Sequence, residues 1–277
     1  MGVPKGKVYS FEMDSKTSAI YPGVTGPYKR AVSVYVPNQY VNGTPAPFIV
    51  VQDGQGYVAR MRNALDNLIA QKRVPVIAAI LINPGPGDGR GSERGLEYDR
   101  VNADYTRFIE TEVLPIIPQR PDLKADYPNF RFTSDPDARA TMGCSSGGAA
   151  AFTMGWFRPD LYRRILTYSG TFVNQHPEPS HPLGAWEYHQ KLIAQTPIKP
   201  LRVFLHVGEN DLNLNQRFND MEHDWPKANR DMYAALSAKG YEVRFLFAKA
   251  SGHCDGRVFD QELPKSLEWL WRGYPIP

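Results

Sequence analysis

A chain of 277 residues, 42% hydrophobic and 12% aromatic, suits one large α/β domain or two small ones and has enough core to stand without staples. Its net charge of +3, with no dense Lys/Arg run interleaved with aromatics, argues against nucleic acid as a partner. No apolar run is long enough to span a bilayer, so no membrane partner is expected. The opening Met1–Lys7 segment lacks a hydrophobic signal core, and Gly6 stands where a myristoylation signal wants Ser or Thr. Either the chain works in the cytosol, or it is the mature form of an exported protein.

In chain order, Lys7 to Met13 and Tyr28 to Pro37 alternate apolar and polar residues, as antiparallel entry strands do. Phe48-Ile49-Val50-Val51-Gln52 is a continuous apolar run, the mark of a strand buried on both faces. The turn Asp53-Gly54-Gln55-Gly56-Tyr57 follows it directly, where open α/β sheets place ligands. A helix is expected from Met61 to Gln71 and a second buried strand from Val74 to Asn83. The loop Pro84 to Gly91 lacks the Gly-Lys-Ser/Thr ending of a phosphate loop and reads as a flexible border. Glu97 to Ile117 has apolar residues at helical spacing, read as core, while Arg94, Glu97 and Asp99 read as a solvated or ion-paired helix entrance.

Arg139 to Phe152 reads as a buried strand, a Gly-x-Ser-x-Gly turn at Gly143 to Gly147, and a helix of small residues. Such a turn pushes Ser145 out at its tip. The next strand is Arg164 to Ser169, and a long connection from Gly170 to Pro200 carries His176, His181 and His189 without the spacing of a metal site. Leu201 to Val207 is a further buried strand, Asp224 to Lys239 a helix stopped by Gly240, Glu242 to Ala248 a strand delivering Gly252-His253-Cys254, and Val258 to Trp271 an amphipathic closing helix. Strand and helix alternate throughout with no linker, so residues 1–277 are expected to form one doubly wound domain.

An alcohol is a poor nucleophile at neutral pH, so Ser145 needs a base, and the base needs a carboxylate. His253 follows the last strand and Asp211 the one before it, which puts three side chains on one rim in the order Ser, acid, His. Glu209, Glu222 and Asp224 are rival acids, and Asp211 is preferred because it sits just past the strand end. The Ser146 amide, at the positive end of the small-residue helix, would face an oxyanion together with an amide of the Asp53 to Tyr57 turn. The two cysteines flank this set, Cys144 before Ser145 and Cys254 after His253. If Ser145 and His253 are partners, their neighbours come within disulfide range, and a Cys144 to Cys254 bridge would favour an oxidising, secreted or periplasmic location.

On these motifs, together with Val50 to Gly54, Glu97-Tyr98, Phe108 to Pro115, Arg158-Pro159-Asp160, Gly208 to Leu212 and Trp225 to Asn229, the chain resembles the putative-esterase family of α/β-hydrolases, its enterochelin esterase-like and feruloyl esterase-like members above all. The resemblance implies an α/β-hydrolase sheet and a metal-independent serine esterase with no cofactor. It implies Ser145 as nucleophile, His253 as base, Asp211 as acid, and Ser146 with Gly54 or Gln55 as oxyanion hole. The order Cys-Ser, Asp, His-Cys is similar to that of tannase-type feruloyl esterases, though no insertion is long enough for their lid. The implied substrate is a small-molecule or polysaccharide-linked ester. Tyr57, Phe172 and Trp186 are expected, by loop position and analogy, to form an aromatic substrate wall.

Overall fold

The computed structural model describes residues 2–276. Eight strands form one sheet: β1 (Lys7–Asp14), β2 (Lys29–Val36), β3 (Phe48–Gln52), β4 (Ala78–Ile82), β5 (Arg139–Cys144), β6 (Arg164–Tyr168), β7 (Arg202–Gly208) and β8 (Glu242–Ala248). Their spatial order is β1-β2-β4-β3-β5-β6-β7-β8. The first two strands run antiparallel to their neighbours, and every later pairing is parallel. This is the α/β-hydrolase arrangement, with no large lid. A separate two-stranded ladder joins Pro45–Ala46 to Arg131–Phe132.

β3 shows why the sheet forms from this sequence. Phe48, Ile49, Val50 and Val51 are fully buried, with alternate side chains in the cores on opposite faces. Each such burial is worth roughly 1.5–3 kcal/mol. On one face, Met61, Leu65 and Leu68 of α1 (Val58–Ala70) pack with Phe259, Leu263 and Leu267 of the C-terminal helix against Ile49, Val51 and Met142. On the other face, Phe152 packs with Phe172, Tyr188, Val203 and Leu205.

Glu97 to Ile117 is not one continuous helix. It is α2 (Glu93–Tyr98), a bend, a short helix over Asp104–Phe108, a π turn over Ile109–Val113 and a 3-10 turn over Leu114–Gln119. Pro115 cannot donate to an α-helical ladder, and the bend after Asp99 resets the helix axis. The apolar stripe still reaches the core: Tyr98, Val101, Tyr105, Phe108, Ile109 and Val113 are all buried. Glu97 is ion-paired as expected but not solvated. It receives Arg30 through both oxygens (2.6 and 2.9 Å), and also the Tyr28 hydroxyl (2.5 Å) and the Gly85 amide (3.0 Å). The pair anchors the Pro84 to Gly91 loop to β2.

The remaining helices place the site. α3 (Ser146–Phe157) follows β5 directly, α4 (Trp225–Lys239) is capped by the Asp224 side chain and ends at left-handed Gly240 (φ 89°), and α5 (Gly256–Trp271) starts just past His253.

Candidate active site

All six residues of β5 are buried, and the chain leaves the strand through Ser145 at φ 58°, ψ −130°. A serine holds positive φ only where its surroundings over-determine it. Here the Ser145 N–H donates to the Tyr168 carbonyl (3.0 Å), and the Ser145 carbonyl accepts from Gly148 (2.9 Å), Ala149 (3.1 Å) and Thr171 (3.0 Å). The flanking glycines are required by contact: a Cβ on Gly143 would lie 2.2 Å from the Gly147 carbonyl oxygen, and one on Gly147 would meet Asp53 Oδ2 at 2.9 Å. The same closeness brings the end of β3 against the start of α3.

Ser145 and His253 line one cavity of about 670 Å³, with Ser146, Thr171, Leu212 and Trp225 among the other walls. The Ser145 hydroxyl is 3.4 Å from the Thr171 hydroxyl, which also accepts from Trp225 Nε1 (3.3 Å). The His253 ring is part-exposed and stands edge-on to Trp225, with centroids 6.1 Å apart. His253 Nδ1 lies 2.5 Å from Asp211 Oδ1, and the same oxygen accepts from the Leu212 amide (2.7 Å). Burial pushes the Asp211 carboxyl up, but the His253 hydrogen bond and charge outweigh it and hold the carboxyl below its ordinary value. Glu209 instead accepts from the Ala250 amide, Asp224 caps α4, and Glu222 does not line the cavity.

A disulfide joins Cys144 to Cys254, with Cα atoms 6.0 Å apart and a sequence separation of 110. It ties the end of β5 to the loop that carries His253. The Ser146 N–H opens α3, and the carbonyl four residues back belongs to β5, so the helix offers it no partner. The other half of the expected oxyanion hole is narrower than the sequence suggests. The Gln55 amide is committed to Asn83 Oδ1 (3.1 Å) and its side chain turns to Ser33, which leaves Gly54 as the candidate in that turn.

Tyr57, Phe172 and Trp186, expected as an aromatic wall, are not among the residues that line the cavity holding Ser145 and His253. Tyr57 packs on Phe259, Phe172 sits in the core against Phe152, and Trp186 stacks edge-on against His189 beside a different depression. Loop position fixes where a Cα lies but not which way the ring turns, and each ring finds more apolar surface inward. The wall comes instead from the excursion between Asp211 and α4. That segment is closed by a bridge between Asn213 and Asp224, and it presents Leu212, Leu214, Arg217 and Phe218. Phe218 stacks on His223 at 4.0 Å, and His223 Nδ1 is held by both oxygens of Asp220 (2.8 and 2.9 Å). A hydrophobic pair inside a polar loop, Leu212 and Leu214, was the available signal.

Sequence reasoning also missed the burial of Asp99. Its carboxyl is 2% exposed at the end of α2, and neither oxygen has a hydrogen-bond partner of normal geometry among the described residues. Burial pushes it up to about 7, opposed by the Ser146 hydroxyl and the Arg94 guanidinium. Arg94 is itself forked onto Asp53 (3.1 and 2.9 Å) and bonded to Asp88 (2.6 Å). Among the described residues no group of three or more His, Cys, Asp or Glu side chains is arranged to hold a metal, and no helix is long and apolar enough to cross a membrane.

Comparison with known proteins places this geometry among esterases. The Putative esterase family matches residues 26–270. An uncharacterized protein of Bacillus subtilis, YbbA, is 22% identical over 87% of this chain and 92% of its own. The Iron(III) enterobactin esterase of Dickeya dadantii is 26% identical over 82% of this chain, which spans only 48% of that protein's length. Among solved structures, a ferulic acid esterase superposes with TM-score 0.67 at 18% identity, covering 97% of this chain and 98% of that one. The enterobactin esterase of Shigella flexneri, solved with enterobactin, gives TM-score 0.69 at 19% identity, covering 98% of this chain and 60% of the other.

Proposed function

Because the chain belongs to the Putative esterase family, and is a carboxylic ester hydrolase, we propose that it cleaves esters through an acyl-enzyme on Ser145, with His253 as base and Asp211 as its orienting carboxylate. The observation that carries this reading is the 2.5 Å contact between His253 and Asp211, opening on the cavity that Ser145 enters from a strained turn. Asp211 fixes the tautomer with the proton on Nδ1, which leaves Nε2 as the acceptor. The Ser145 hydroxyl swings from Thr171 toward His253 and gives up its proton as its oxygen attacks the ester carbonyl. The Ser146 N–H, with a second donor from the Gly54 turn, stabilises the tetrahedral oxyanion. His253 then protonates the departing alcohol, and water repeats the sequence to release the acid.

For the substrate we favour feruloyl- or acetyl-type esters of carbohydrates or phenolics. An open cavity with the apolar surfaces of Trp225 and Phe218 suits an aryl acyl group, and a ferulic acid esterase is among the structural neighbours. A siderophore ester is the second reading, supported by the enterobactin esterases in the same comparison. Acyl transfer to a sugar would use the same residues. The disulfide favours a secreted or periplasmic setting, because such bonds persist where the medium is oxidising.

Hydrolysis of p-nitrophenyl acetate, methyl ferulate, acetylated xylan and a catechol siderophore ester under metal chelation tests both levels. Turnover that survives the chelator and vanishes in Ser145→Ala supports the mechanism. Undiminished turnover in Ser145→Ala, or no labelling of Ser145 by a fluorophosphonate, would end it. The preferred member of the panel decides between the substrate readings, and product analysis with competing alcohols decides between hydrolysis and transfer.

A further inference from the structure

Two guanidiniums of the cavity have no carboxylate partner among the described residues. Asp88 is bonded to Arg94 (2.6 Å), Asp220 holds His223, and Asp211 behind the wall holds His253. Arg90, on the Pro84 to Gly91 loop, and Arg217, on the Asn215–Phe218 turn, line the same cavity, and neither makes a salt bridge among the described residues. Arg217 sits 5.6 Å from the Phe218 ring, which stacks on His223. The neutral amides of Asn174 and Gln175 complete the polar lining. Asp88 and Asp220 are engaged by Arg94 and His223, so the N–H donors of the two arginines stay free for a ligand.

Resting on the ester-hydrolysis reading, we propose that the substrate carries an anionic group beside its scissile ester, a carboxylate, sulfate or phosphate held by Arg90 and Arg217. A guanidinium presents a planar fork that fits such oxyanions. The anion enters from the mouth, and the ester carbonyl then reaches Ser145. The group can lie on the acyl part or on the alcohol part, and the two placements are separable.

Two matched pairs test this. 3-Acetoxybenzoate against 3-acetoxybenzamide puts the charge on the leaving alcohol, and the p-nitrophenyl monoester of glutarate against that of glutaramic acid puts it on the acyl chain. Rates are corrected with Ser145→Ala protein for attack by the substrate's own carboxylate. In at least one pair kcat/KM should favour the anion by about 10-fold at low salt, the size expected of two solvent-exposed contacts. That preference should shrink in high salt and approach unity in the double variant Arg90→Gln, Arg217→Gln. Turnover of the neutral esters with no anionic preference in either pair would overturn the proposal. If none of the four is turned over, it is the hydrolysis reading that falls. The anion site is then judged alone by calorimetric titration of the four compounds into Ser145→Ala protein, where tighter binding of the charged members upholds it and equal binding ends it.

Discussion

Two buried carboxyls lie beside the same cavity and are pushed in opposite directions. Asp211 is 8% exposed and Asp99 is 2% exposed, so burial alone would raise both. The difference lies in the donors. Asp211 receives His253 and the Leu212 amide on one oxygen, and its charged form is held in place. Asp99 ends a one-and-a-half-turn helix with no donor of normal geometry on either oxygen, and it is pushed up to about 7. Desolvation sets the size of the penalty, and hydrogen bonding decides which protonation state bears it.

The largest effect should come from breaking the Asp211 side. Asp211→Asn removes the acceptor that orients His253, and kcat should fall by roughly 10³- to 10⁴-fold with the fold intact, read from ester kinetics beside a thermal melt. A loss below 10-fold would mean that another group orients the base. Next comes the disulfide. Replacing both cysteines by serine should cost about 2–5 kcal/mol in denaturant unfolding. Because the bridge holds the His253 loop, its loss should also weaken the Asp211 contact while leaving Asp99 untouched.

A third effect, visible only as a slope against pH, isolates Asp99. Its carboxyl binds its proton more tightly folded than unfolded, so between about pH 4 and pH 7 the unfolded state releases more protons, and stability falls as pH rises through that window. The fall is at most about 4 kcal/mol, since a tenfold difference in proton affinity between the two states corresponds to about 1.4 kcal/mol. Asp99→Asn should flatten that slope. Asp211 runs the other way: its lowered carboxyl stabilises the fold above the ordinary carboxylate range, and that stabilisation is lost as pH falls below it. Asp211→Asn should therefore flatten only the acid limb. Denaturation curves across pH separate the two, and a single slope shared by both variants would show that the pockets do not titrate independently.

The sheet was readable from sequence because its signals are local. Phe48–Gln52 forms a strand at the bounds its apolar run predicts, and Asp224 and Gly240 cap a helix where their residue types say they should. The elbow was readable for the same reason, since two glycines and a serine in five residues dictate a turn whatever lies around them. The positions of Asp211 and His253 followed from strand ends. What failed depends on contacts between distant segments. The direction taken by the Tyr57, Phe172 and Trp186 rings is set by partners elsewhere in the chain. Asp99 looks like a helix-end charge until α3 is seen packed over it.

The bond between Cys144 and Cys254 makes a covalent ring of everything from β5 to the His253 loop. Met221, 65% exposed in the excursion between Asp211 and α4, lies inside that ring. A protease that cuts there opens the loop without parting Ser145 from His253, because both remain on one covalently continuous molecule. The nicked protein should travel as a single species until a reductant divides it. Wear on that loop then leaves Ser145 and His253 on one molecule, joined through the bond beside them.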